Sequence, residues 1–292
     1  MPPVRIGAVL LAAIGLAGCS VNLSAEHYTA KEEKTFQVSG TPELVLSTFD
    51  GSIEVRSWDK PEIRATFEKN AESADIAKNL VVKSEQSGNR ITIDAVRPEP
   101  YSGISINSNR SVNLILSVPR KINLQAKSGD GGVRLEGLEG RIDVKSGDGG
   151  INGHDLAGDV YVRTGDGAVT LDSVNGRLDL NTGDGGIQVG GTLTKLSAHT
   201  GDGSVSVRAS QGSRTDDDWD VTSGDGSVTL ELPDGFSASV DAHTGDGGIT
   251  VEGLPLPTPT GESKDTLRGS MGAGGKTLRL RTGDGGIRLR KI

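Results

Sequence analysis

Cysteine occurs once in the 292 residues, at Cys19. A single thiol excludes a disulfide framework and a thiolate metal cluster, and it leaves no spare catalytic thiol. Aromatic residues make up only 3% of the chain, while glycine fills 43 positions. A conventional thick core needs more large apolar side chains, so this composition points to thin layers, each buried by its neighbours. The four histidines, His27, His154, His199 and His243, are scattered and form no HExxH or comparable ligand spacing. An excess of positive charge is also missing: 31 basic residues face 39 acidic ones, a net charge of −8. That balance argues against a nucleic-acid partner, whose phosphates demand a basic surface. Long hydrophobic runs are absent too. The one apolar stretch, IGAVLLAAIG at 6–15, is too short for a permanent membrane-spanning helix.

That short run is present for another reason. It follows a positively charged MPPVR and leads into LAGCS, the layout of a secretion signal. Leu16, Ala17, Gly18 and Cys19 resemble the lipobox of bacterial lipoproteins. The resemblance implies a signal peptide over 1–18, cleavage before Cys19 and lipidation of its thiol, hence a membrane partner reached through an N-terminal lipid. Ser20 lacks the acidic character that favours inner-membrane retention, so the expected location is the cell envelope, at the outer membrane.

The strongest pattern is a repeat. SGDGG, SGDGG, TGDGA, TGDGG and TGDGS begin at 128, 146, 164, 182 and 200, a constant spacing of 18, and GDG recurs at 224, 245 and 283. Alternating apolar pairs follow each motif, as in Val133/Leu135, Val169/Leu171 and Ile187/Val189, with one imperfect unit at Ile151/Gly153. A second set precedes it, as in Ile142/Val144, Val160/Val162 and Leu178/Leu180. A period of two is the strand period. A second bend lies near GLEG, DLAG and SVNG. One unit therefore reads strand, bend, strand, GDG turn. The pattern predicts an all-β fold, a parallel β-solenoid (single-stranded β-helix) with 18-residue coils, over an antiparallel meander, which alternation alone also permits.

Two readings of the motif stay open. In the first, GDG is a turn: glycine reaches positive φ, Asp bonds nearby backbone, and the Ser or Thr hydroxyl ties adjacent coils. In the second, Asp130, Asp148, Asp166, Asp184, Asp202, Asp225, Asp246 and Asp284 form a column that holds a cation or ligand. Calcium wants six to eight oxygens, and each unit offers one carboxylate. Three residues before each Asp runs a mostly basic or neutral column, Lys127, Lys145, Arg163, Asn181, His199, Thr222, His243 and Arg281, expected to screen the Asp ladder. No cofactor and no resident metal are predicted. The acidic cluster TDDDWD at 215–220 reads as a solvated bulge.

Outside the array, 19–35 reads as a linker and 36–119 as a less regular β-rich cap whose start, LVLSTFDGSIEV, is a degenerate coil. AESADIAKNL at 71–80 reads as one short helix. The array fills 120–292, interrupted by a Pro- and Gly-rich loop insertion at 253–276, and the final coil is expected at the distal tip.

The signal, the leading FDGSIEVRSWDKPEIRATF, the VNLILSVPRKINLQAKSGDGGVRLEGLEG block and the tandem GDG units together resemble a bacterial putative-adhesin family of β-strand repeat proteins of unknown function. The resemblance covers roughly 36–292 and implies a β-helical fold and an envelope location; it brings no catalytic residues. The expected function is a non-catalytic, lipid-anchored adhesin-like binding or scaffold protein whose partner is an envelope protein or a glycan. Two alternatives remain. One is a polysaccharide-binding or polysaccharide-cleaving β-helix, for which Tyr101 and Tyr161 are the candidate exposed rings; the other is a calcium-binding β-roll.

Overall fold

The computed structural model describes residues 28–96, 110–257 and 264–292. The lipobox-like residues with Cys19, and also His27 and Tyr101, lie outside the described residues. The fold is all-β. Among the described residues the one helix is Ala74–Asn79, capped by Ser73, whose hydroxyl accepts the Ile76 amide.

The strands form two columns facing each other across a thin apolar core, hydrogen-bonded as one mixed sheet that is parallel through the middle and antiparallel at the ends. In the first column Leu124, Ile142, Val160, Leu178 and Leu196 lie side by side on successive parallel strands. In the second column Val133, Ile151, Val169, Ile187 and Val205 do the same. All ten side chains are buried. Each such Leu, Ile or Val contributes on the order of 1.5–3 kcal/mol by leaving water. The alternation of apolar and polar residues puts every second side chain on this shared interior. The imperfect unit is explained by its neighbours: a Cβ on Gly153 would lie 2.7 Å from both Leu156 and Leu171, whose side chains already fill the space.

The stacking order departs from chain order at both ends. The degenerate first unit, Glu43–Thr48 and Ile53–Trp58, is sandwiched inside the stack. Glu43–Thr48 pairs with both Arg90–Ala95 and Asn123–Ser128, and Ile53–Trp58 pairs with both Ser111–Pro119 and Val133–Glu136. The expected degenerate coil is thus an internal rung, with Arg90–Ala95 and Ser111–Pro119 stacked on its outer side. At the other end Thr277–Thr282 pairs with both Trp219–Ser223 and Ala238–Thr244. Ile287–Lys291 likewise lies between Val228–Leu232 and Ile249–Glu252. The final coil is therefore an interior rung and not the distal tip.

Two segments read as irregular are strands. Tyr28–Gln37, mostly within the expected linker, pairs antiparallel with Glu62–Ala71. Its polar sequence hid it: Phe36 is its one buried side chain, and ion pairs Lys31–Glu68 and Lys69–Glu32 tie it down. Thr266–Met271, inside the expected loop at 253–276, pairs antiparallel with Ala238–Thr244 and covers that strand's open edge with Leu267 and Met271 buried. Covering an edge in this way prevents unwanted strand addition.

Candidate functional site

The GDG corner links the two columns, and its chemistry is mostly backbone. Gly147 donates its amide to the carbonyl of Gly129; Gly165 donates to Gly147, Gly183 to Gly165, Gly201 to Gly183 and Gly224 to Gly201. The ladder continues through Gly283 to Gly224 and ends with Gly245 to Gly283 at 2.7 Å. The second glycine of each motif packs as closely. A Cβ on Gly167 would sit 2.3 Å from the Gly149 carbonyl oxygen, and one on Gly185 would sit 2.1 Å from that of Gly167. The motif hydroxyls seal the corner. Thr164 Oγ1 donates to Gly149 O at 3.0 Å, Thr182 Oγ1 to Gly167 O at 2.9 Å and Thr200 Oγ1 to Gly185 O at 2.8 Å. Ser146 Oγ also accepts the Gly149 amide at 3.1 Å, closing a local turn.

Positive φ does not explain these glycines. None of the GDG glycines has positive φ; at the opposite bend Gly137 (φ 72°), Asp155 (φ 51°) and Ser173 (φ 57°) do, at equivalent places on successive rungs. Asp is among the residues that tolerate this conformation. What the GDG motif needs is the absence of a Cβ, so that rungs can approach.

The motif's aspartates, Asp130, Asp148, Asp166, Asp184, Asp202, Asp225, Asp246 and Asp284, are all exposed at this corner. The upstream column is in register: Lys127 lies beside Lys145, Lys145 beside Arg163, Arg163 beside Asn181 and Asn181 beside His199. The expected screening contacts are not formed. Among the described residues Lys145 reaches Asp143 at 3.9 Å and Arg281 pairs with Asp241 at 2.8 Å, and neither meets a corner carboxylate. His199 Nε2 lies 3.0 Å from Ser197 Oγ, and His243 Nδ1 lies 3.2 Å from Thr266 Oγ1. No group of three metal-ligating side chains gathers among the described residues.

The acidic run 215–220 is divided among separate partners. Asp216 pairs with Arg214, Asp217 with Lys195 and Asp220 with Arg279, and Asp218 accepts the Thr277 amide. Trp219 is fully buried and meets Phe236 edge-on, ring centroids 5.2 Å apart. Tyr161 is half-buried and carries the Arg141 guanidinium 4.3 Å from its ring centroid.

A concavity of about 530 Å³ at the second bend escaped the sequence reading. Arg56, Glu136, Gly137, His154, Asp155 and Ser173 line it. Arg120 grips Asp155 with two hydrogen bonds, at 2.6 and 3.0 Å, and holds that carboxyl below the usual carboxylate range. His154 Nδ1 lies 3.1 Å from Asp172 Oδ2. These residues share no sequence motif; stacking alone brings Arg120 and Asp155 together.

This geometry has a counterpart among known families. The family model Toastrack DUF4097 matches residues 42–290. The chain belongs to the Toastrack DUF4097 family. The match spans the sandwiched first unit, the array and the interior final rung, so the Toastrack region includes the section read as a cap. No curated protein matches the chain. Solved structures similar to this Toastrack chain include a putative adhesin from Bacteroides fragilis NCTC 9343, with TM-score 0.46 and 10% identity over 89% of this chain and 97% of that one. A putative adhesin from Parabacteroides merdae ATCC 43184 has TM-score 0.44 and 12% identity over 89% and 95%. A putative lipid binding protein from Parabacteroides distasonis ATCC 8503 has TM-score 0.38 and 13% identity over 89% and 96%. At such values no residue role passes from them to the Toastrack chain.

Proposed function

We propose that this Toastrack protein is a non-catalytic, lipid-anchored component of the bacterial cell envelope. In this reading it is a parallel β-solenoid with 18-residue coils, attached through Cys19 at the outer membrane, and its repeated outer surface binds or scaffolds in an adhesin-like role. One observation carries the reading. Interior apolar side chains and exposed GDG carboxylates recur rung after rung, so the repeated chemistry of the surface is distributed along the stack. Acid–base catalysis needs a unique, positioned pair of groups. Repeated ladders suit an extended partner instead, because each rung adds a similar weak contact. The in-register Ile142, Val160, Leu178 and Leu196 support the solenoid assignment.

The test has two arms. Cells expressing the wild type and Cys19→Ser are labelled with a radioactive fatty acid and fractionated. Label and outer-membrane recovery are expected for the wild type and loss of both for the variant; retained label on the variant sinks the anchor. The lipidated protein is then used to capture partners from envelope extracts and from purified envelope glycans. Saturable capture of either supports the binding role, and turnover of a glycan without retention overturns it.

A further inference from the structure

We propose that the corner carrying Lys127, Lys145, Arg163 and the aspartates Asp130, Asp148 and Asp166 is a homotypic interface, where a second copy of this chain docks side by side with parallel orientation.

The observation is two ladders of opposite sign that form no ion pair with each other among the described residues. Lys127, Lys145 and Arg163 are exposed and directly adjacent on parallel strands, roughly 4.8 Å apart. Like charges facing one another on neighbouring strands destabilise a sheet. At the other end of the stack charges alternate: Asp220, Arg279 and Asp241 stack in turn, as do Glu231, Arg290 and Glu252. Those stacks form ion pairs, as with Arg290–Glu231 and Arg279–Asp220. At the first three GDG rungs alternation is abandoned. Among the described residues Lys127 and Arg163 have no ion pair, Lys145 has only the 3.9 Å contact to Asp143, and Asp130, Asp148 and Asp166 have none.

The arrangement selects the partner. A polyanion attracted to the basic ladder would lie against the Asp ladder running beside it at the same spacing. A partner that satisfies both must carry both signs at the rung repeat, and a second copy does. Symmetry fixes the orientation. A two-fold axis parallel to the stack, between the ladders, brings each basic residue onto the carboxylate of the same rung in the other copy. An axis across the stack would set cation on cation. The contact is isologous, so it closes as a dimer. Exposed ion pairs are individually weak and screened by salt, so the association is weak and strongest at low ionic strength.

The experiment uses the full chain, half of it unlabelled and half uniformly nitrogen-15 labelled, mixed and treated with a carbodiimide that joins touching amines and carboxylates. Hybrid light–heavy peptides linking Lys127 to Asp130 and Lys145 to Asp148 are expected, falling about tenfold between low and about 0.5 M salt. Two charge variants give a second reading. One carries Asp130→Lys, Asp148→Lys and Asp166→Lys; the other carries Lys127→Asp, Lys145→Asp and Arg163→Asp. Each alone should sediment as a monomer, and their mixture should restore a dimer. Absence of hybrid peptides at low salt, or hybrids confined to other surfaces, overturns the proposal. So does a heteropolymeric glycan that protects Lys127 and Lys145 while the chain stays monomeric. The wild-type crosslinking decides the matter even where a triple variant fails to fold.

Discussion

Gly147 hands its amide hydrogen to the carbonyl of Gly129, the residue occupying its own place one rung earlier. The bond belongs to a ladder that runs through every GDG corner from Gly129 to Gly245. The corner is thus a seam of backbone held together by the lack of side chains.

Filling the seam should be costly. In Gly167→Val the new Cβ lies 2.3 Å from Gly149 O and 2.8 Å from Thr164 Oγ1, and moving either atom breaks the hydrogen bond from Thr164 Oγ1 to Gly149 O. Urea denaturation should show a loss of about 3 kcal/mol, the upper end for overpacking. Asp166→Asn, on an exposed side chain, should stay within about 0.5 kcal/mol of wild type. The unfolding midpoint of either protein should be the same in chelator and in millimolar calcium. A calcium-dependent rise abolished by Asp166→Asn would instead make the column a metal site.

The two faces of a strand should answer differently to charge. Val169 is fully buried between Ile151 and Ile187, and Val169→Asp places an unpaired carboxylate in an apolar interior. A loss of about 3 kcal/mol or more is expected. Thr170 points outward and is half-exposed, so Thr170→Asp should change stability by less than about 0.5 kcal/mol. Equal effects in thermal melts would contradict the assigned faces.

Asp241 gives a pH signature. The hydrogen bond from Arg281, its largest influence, holds the carboxyl's pKa below its ordinary value of 3.8. A depressed folded-state pKa stabilises the protein above the unfolded value, and that gain disappears as pH falls through the folded value. Arg281→Leu should therefore be destabilised relative to wild type at neutral pH, by less than about 1 kcal/mol for this partly exposed pair. The gap should narrow below pH about 4. A gap that is constant across acid pH would show that packing, and not the charge pair, carries the effect.

The interior position of the last rung is open to a direct test. Leu278, Leu280, Ile287 and Leu289 are all buried between earlier rungs. Their burial is worth on the order of 6–12 kcal/mol as an upper bound, comparable with the whole stability of a typical domain. Trp219 lies beside Leu278. In a Trp58→Phe background, removing residues 277–292 should shift Trp219 emission to the red. A terminal rung that merely ended the stack would leave Trp219 shielded by Phe236 and the emission unchanged.

Within the repeat array the sequence determined which residues are strands and which face the interior, because alternation is a local property of the chain. Val133/Leu135 and Ile187/Val189 are buried as the period of two requires, and the hydroxyl before each GDG ties adjacent rungs. The short helix was legible as well, although it spans only Ala74–Asn79. The reason for the glycines was not legible, since turn chemistry and close approach write the same motif and only the stacked carbonyls distinguish them. Tyr28–Gln37 was hidden for a related reason: an edge strand with one buried residue has almost no apolar pattern to read. Rung order was decided by tertiary structure alone. Chain order would set Asp220 beside Asp241 and Glu231 beside Glu252, like charge on like. Inserting the Arg279- and Arg290-bearing rung between them turns repulsion into alternation. That preference exists only between strands already side by side, so no local reading of the chain contains it.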